Sequence, residues 1–357
     1  MSPEFFMGAN SPAGFCSLYD SLIDLDTARD VLILKGGPGC GKSSFMRLVG
    51  RQLTEKGIRS EAILCSSDPE SLDGIVFPDI GAAIVDGTAP HVAEPRFPTA
   101  VERYVNLGAY YNLMPIKARR EEIRRLTLAF RQPYTRVTRA LAAARALEDD
   151  MFDAVLDDRA LRTLSKRVKG IIAREIRPGE KTAVKRRFLS AVTPAGLICR
   201  FDTARALCER VYELNDNYGL SHFMLSPILE AAVSARQEVY ACYCPMNPEH
   251  KLEHLLLPGL GVAFVTSSDI YPYDGKPFRR VRLDACLDIE RLRGQRPRLR
   301  FLRKTERALM HEATEALGEA KTAHDKLEAL YNPHVDFEGV YREAEKAAEE
   351  LLQLTDN

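Results

Sequence analysis

Residues 36–43 read Gly36-Gly37-Pro38-Gly39-Cys40-Gly41-Lys42-Ser43, a complete G-x-x-x-x-G-K-[ST] loop, and its flanks decide the fold. Upstream, Val31-Leu32-Ile33-Leu34 is a short apolar run of the kind that forms a buried parallel strand. Downstream, Ser43-Ser44-Phe45-Met46-Arg47-Leu48-Val49 places apolar residues three and four apart, which predicts a helix. Strand, glycine loop and helix in that order are the context a phosphate-binding loop requires. Backbone N–H groups freed by the glycines can turn inward at the positive end of the helix. The loop therefore predicts a phosphate cradle made by Gly36, Gly37, Pro38, Gly39, Cys40, Gly41, Lys42, Ser43 and Ser44. In it Lys42 neutralises β- and γ-phosphates and the Ser43 hydroxyl ligates Mg²⁺.

Sliding the chain over itself returns the same domain a second time. Pro12-Ala13-Gly14 matches Pro194-Ala195-Gly196, Cys65 and Pro69-Glu70 match Cys244 and Pro248-Glu249, and Gly81, Ala83 and Val85 match Gly261, Ala263 and Val265. A nearly constant offset is the mark of an internal duplication. In each copy strands alternate with helices, with a helix start at the Asp-Pro-Glu or Asn-Pro-Glu step, which predicts a parallel sheet covered on both faces. Residues 119–147 and 303–352 are rich in helix formers and broken at Gln132-Pro133 and Asn332-Pro333, so a helical hairpin is expected after each core. The expected divisions are an intact core over residues 1–114, a basic helical arm or lid over 115–187, a degenerate core over 188–295 and a C-terminal hairpin over 296–357.

The loop of the second copy is erased. It falls on residues 216–223, Asp-Asn-Tyr-Gly-Leu-Ser-His-Phe, where only Gly219 survives among the glycines, His222 replaces the lysine and Phe223 the hydroxyl. Asp216 adds a charge that repels phosphate, so this half is expected not to bind a nucleotide in the usual way.

Ala82-Ala83-Ile84-Val85-Asp86 has the form of a strand ending in a carboxylate at the sheet edge where α/β sites gather, and Asp86 is the candidate second holder of Mg²⁺. The alternative is an Asp-Gly turn closing a strand. No glutamate follows it, which leaves the catalytic base open among Asp68, Asp73 and His91. Asp68 also suits a helix N-cap ahead of Pro69. Cys242, Cys244, His250 and His254 have a spacing compatible with zinc if the histidines lie one helical turn apart, but core cysteine with surface histidine is the simpler reading.

Fifty basic and fifty acidic side chains cancel, so no global field points to nucleic acid. Residues 116–190 carry 20 Lys plus Arg against 10 Asp plus Glu, a local excess of 20 − 10 = +10. Eight scattered cysteines and no leader-like start predict reduced thiols in the cytoplasm, and no apolar stretch approaches a membrane span.

With the loop, the segment Cys65-Ser66-Ser67-Asp68-Pro69-Glu70-Ser71-Leu72-Asp73-Gly74 and Val85-Asp86-Gly87-Thr88-Ala89-Pro90-His91 in view, the chain resembles a little-characterised bacterial family of duplicated P-loop proteins, labelled ATPase or ATP-binding protein. The resemblance covers nearly the full length and departs from the family at residues 216–223. It implies ATP and Mg²⁺ and names no substrate. The expectation is thus an α/β protein of tandem P-loop NTPase-type domains with one active half, whose ATP hydrolysis moves the helical arms. The alternatives are a nucleotide or small-molecule kinase with an Arg-rich lid, and a nucleotide-dependent switch without turnover that offers its arms or degenerate half to a protein partner.

Overall fold

The computed structural model describes residues 2–90 and 93–356. The first half runs β1 (Glu4–Phe6), β2 (Gly8–Ser11), β3 (Gly14–Ser17), β4 (Asp30–Lys35), α1 (Lys42–Glu55), β5 (Glu61–Leu64), β6 (Leu72–Phe77), β7 (Ala82–Asp86) and β8 (Glu102–Asn106). Helices α2 (Leu113–Ala118), α3 (Arg120–Arg131), α4 (Pro133–Val155) and α5 (Asp158–Glu175) follow. The second half repeats the pattern as β9 (Ala183–Arg187), β10 (Ser190–Thr193), β11 (Gly196–Cys199), α6 (Phe201–Leu207), β12 (Arg210–Asn215), α7 (Ser221–Ser234), β13 (Glu238–Cys244), β14 (Asn247–Leu257), β15 (Val262–Ser267) and β16 (Arg279–Arg282). It ends in α8 (Ile289–Tyr331) and α9 (Phe337–Leu352).

The two sheets correspond strand for strand. One has the order β1-β5-β6-β7-β4-β8, the other β9-β13-β14-β15-β12-β16, with the same pairing sense at every step. The wholly parallel sheet expected from the alternation is corrected: β6 and β14 each run antiparallel to both neighbours. The expected helix starts at Pro69 and Pro248 do not form either. Ser71 N–H donates to Asp68 O at 2.8 Å, closing a turn into β6, and Asn247-Pro248-Glu249 opens β14. The hairpins repeat too: the Ser11 and Thr193 hydroxyls donate to Gly14 O and Gly196 O at 2.7 and 2.8 Å across their Pro-Ala-Gly turns.

The chain divides into two units, each assembled from separated segments. One holds the first sheet, from residues 2–8 and 17–136, together with residues 315–356. In it α1 turns Phe45, Met46, Val49 and Leu53 inward and α9 packs along α1. The other holds Ala9–Cys16 and Val137–Thr314; its core joins Leu164, Val168 and Ile171 of α5 to Met224, Leu225 and Ile228 of α7. The helical segments are therefore exchanged: α5, which follows the first sheet, covers the second, and α9, which follows the second, covers the first. The break expected at Gln132-Pro133 is only an interruption, since Gln132 keeps right-handed helical angles. The chain leaves the helix at Leu156-Asp157, where Asp157 caps α5 by accepting from Ala160 N–H at 2.7 Å. The break at Asn332-Pro333 is present, as a 3₁₀ turn before α9.

No helix among the described residues is long and apolar enough to cross a membrane. All eight cysteines are free.

Candidate functional site

β4 lies between β7 and β8 and is apolar on both faces, so its end is rigidly placed, and the glycine loop leads directly into the first turn of α1. Gly41 caps that helix at φ 85° and Gly39 sits at φ 67°, conformations that a side chain resists. Lys42 folds back over the loop. Its Nζ donates to Gly36 O and Gly37 O at 3.2 and 3.1 Å and lies 3.7 Å from Asp86 Oδ2.

Adjacent parallel pairing of β4 with β7 sets that last distance, because the register puts Leu34 opposite Asp86. Asp86 is divided between two partners: its Oδ1 accepts from the Thr88 N–H and hydroxyl at 2.8 and 2.6 Å, while Oδ2 faces Lys42. Ser43 Oγ accepts from Leu72 N–H at 3.0 Å, so β6 fixes the hydroxyl at the helix start. Ser44 is exposed. Cys40 is buried beside Lys42, and burial pushes its thiol above the ordinary value.

Of the candidate bases, Asp68 lies in the β5–β6 turn, accepts from the Ser71 hydroxyl at 2.9 Å and lies 3.7 Å from Lys321 Nζ. Asp73 is buried in β6 against Tyr19, whose phenol burial and that carboxylate push up. His91 falls outside the described residues.

Four residues that the sequence did not assign to the site close around the loop. Glu328 Oε1 accepts from Gly39 N–H at 3.2 Å, Tyr111 donates its hydroxyl to Pro38 O at 2.7 Å, and the Tyr111 and Tyr331 rings meet at 5.4 Å. Asn332 stands so close to Gly39 that a Cβ there would collide with its amide oxygen. Lys321 and Glu328 are about 10 Å apart along α8, so one helical segment reaches both Asp68 and the loop.

The second loop keeps the backbone of a nest and fills it from within. Gly219 retains φ 83°, and the Asp216 carboxylate accepts from the N–H groups of Tyr218, Gly219 and Ser221 at 3.1, 2.9 and 2.7 Å. The carboxylate takes donors that an anionic ligand would need. His222 Nδ1 accepts from Leu252 N–H at 3.1 Å, as Ser43 Oγ does from Leu72 N–H; since α1 begins at Lys42 and α7 at Ser221, His222 stands at the Ser43 position and not, as expected from the sequence, at that of the lysine. Burial, with Lys251 and His250 nearby, pulls the His222 pKa down, so the ring does not restore the missing cation.

The proposed zinc cluster is not assembled. His250 and His254 lie on β14, not on a helix. His250 is exposed, whereas His254 is fully buried, accepting from Thr266 N–H at 3.0 Å.

The first site thus presents a helix N-terminus, an ammonium and a carboxylate in one place, an arrangement suited to a polyanion carrying a metal. No family model matches the chain, no curated protein matches it and no solved structure matches it, so these residues and their geometry carry the reading of function.

Proposed function

We propose that the first half binds a magnesium nucleoside triphosphate, with ATP the leading candidate, and hydrolyses it, while the second half is structural at the corresponding loop. The observation that carries this reading is the approach of Lys42 Nζ to Asp86 Oδ2, 3.7 Å apart at the end of a glycine loop. The loop amides and the α1 N-terminus bind the phosphates, and Lys42 swings from the loop carbonyls to the β- and γ-oxygens. Ser43 and Asp86 are the residues that would hold Mg²⁺, which supplies charge neutralisation on the transferring group.

Glu328 gives the reading its coupling. A phosphate that takes the Gly39 N–H displaces the Glu328 carboxylate, so occupancy of the loop bears directly on α8. A switch without turnover is the second reading, favoured by the engagement of Asp68 with Ser71 and Lys321.

Thermal unfolding with Mg-ATP tests the assignment. At about 100 times Kd the ligand stabilises by about 2.7 kcal/mol; Lys42→Ala removes most of that response and His222→Ala leaves it. Loss of the response in His222→Ala with retention in Lys42→Ala would overturn the choice of active half. Phosphate release without an added acceptor separates hydrolysis from the switch.

A further inference from the structure

Above the filled loop of the second half lies a cavity of about 270 Å³, at the same sheet edge where the first half carries its glycine loop. Its size falls just under the ~300–1,000 Å³ of drug-sized ligand sites, which suits one small metabolite. Glu148 and Phe152 enter it from α4, Tyr218 and Phe223 from the loop and α7, Lys251 from β14 and Glu306 from α8.

Two of the charged groups there, Glu306 and Lys251, lack a bonded partner among the described residues. Glu306 is only 6% exposed and has neither a hydrogen bond nor an ion pair among the described residues. Glu148 Oε2 accepts no hydrogen bond and lies 3.7 Å from Arg145. Lys251 has no hydrogen bond or ion pair among the described residues, and its ammonium lies beside Gly219, where an added Cβ would be 3.4 Å away. Burial, then the charge of Glu148, raises the Glu306 carboxyl to about 7. Arg145, Arg303 and Arg307 line the cavity as well, but no side chain among the described residues bonds the Glu306 carboxyl or the Lys251 ammonium, which leaves an anchor of each sign for a ligand. The apolar wall is organised as well: the Phe152 and Phe223 rings stack at 5.6 Å and 7°, and Arg303 lies 4.7 Å over the Tyr218 ring.

We propose that this cavity binds a small zwitterion of the aromatic amino-acid class, with its ammonium held by Glu148 and Glu306, its carboxylate by Lys251 and its side chain against Phe152 and Phe223. The Asp216 carboxylate already occupies the loop amides, so the ligand needs no phosphate. The site is independent of the nucleotide reading for the first half.

Calorimetry on the full chain at about pH 8 tests it, with L-phenylalanine, L-tyrosine and L-tryptophan as probes. Phenethylamine and 3-phenylpropionate, each carrying one of the two charges, serve as controls. The expected result is binding of at least one amino acid with both controls at least tenfold weaker. Glu306→Gln and Lys251→Met each weaken it at least tenfold, and Lys42→Ala leaves it unchanged. The wild-type comparison stands even where a variant fails to fold. Absence of binding by all three amino acids, or binding of a single-charge control as tight as the amino acid, overturns the proposal. Unchanged affinity in folded Glu306→Gln does so too.

Discussion

The Glu328 carboxylate and the Gly39 amide are bonded at 3.2 Å across 289 residues of sequence, so the loop that would receive a phosphate already holds an acidic group. In this respect the two loops are alike, one filled by its own Asp216 and the other by a side chain from far along the chain. The difference is that Glu328 reaches its loop from α8, whereas Asp216 belongs to the loop it fills.

Glu328→Ala should therefore tighten Mg-ATP binding. A hydrogen bond to a charged group contributes about 1.5–3 kcal/mol, and removing the competitor should gain about tenfold in Kd by calorimetry. A loss of affinity would mean that Glu328 supports the bound state instead.

Asp86→Asn keeps the shape of the β7 end but removes the charge facing Lys42. Mg²⁺ dependence of triphosphate binding should weaken by about 10–100-fold, the usual cost of disturbing a residue that orients a metal. A magnesium titration at fixed ATP reads this directly.

Asp216→Ala leaves three loop amides without their acceptor. Destabilisation of about 2–4 kcal/mol is expected in urea unfolding, with millimolar inorganic phosphate restoring part of it. A variant as stable as the parent would show that water serves those amides equally well.

Glu306 gives a pH signature of definite sign. Its carboxyl is raised to about 7 in the folded protein, above the ordinary 4.5. The folded state therefore holds a proton that the unfolded chain releases, and stability falls as pH rises from about 4.5 through 7. Glu306→Gln should abolish that fall, matching the parent near pH 4 and exceeding it by roughly 2–3 kcal/mol near pH 8. Thermal unfolding across that range checks it, and a variant less stable than the parent at the upper end would contradict the assignment.

The glycine loop, its strand and helix, and its decay at residues 216–223 were legible because each is a local pattern with a physical reason. A strand ending in the Asp86 carboxylate was legible too, but its approach to Lys42 depends on β4 and β7 being neighbours, which no local pattern states. Asp68-Pro69 misled because the same pair serves a helix start and a tight turn. The strand-forming Ile75-Val76-Phe77 after it was the better guide, and it belongs to the antiparallel β6. Glu328, Asn332 and Tyr111 could not be found from sequence, since no local pattern states which distant segment packs against the loop.

The docking of α9 on α1 has a consequence for biosynthesis. The two helices are separated by 282 residues, from Glu55 to Phe337. At about 5–20 residues per second a ribosome needs roughly 15–55 s to cover that interval. Throughout it the outer side of α1 waits uncovered, so the nascent amino-terminal half must remain soluble, or be chaperoned, before α9 emerges.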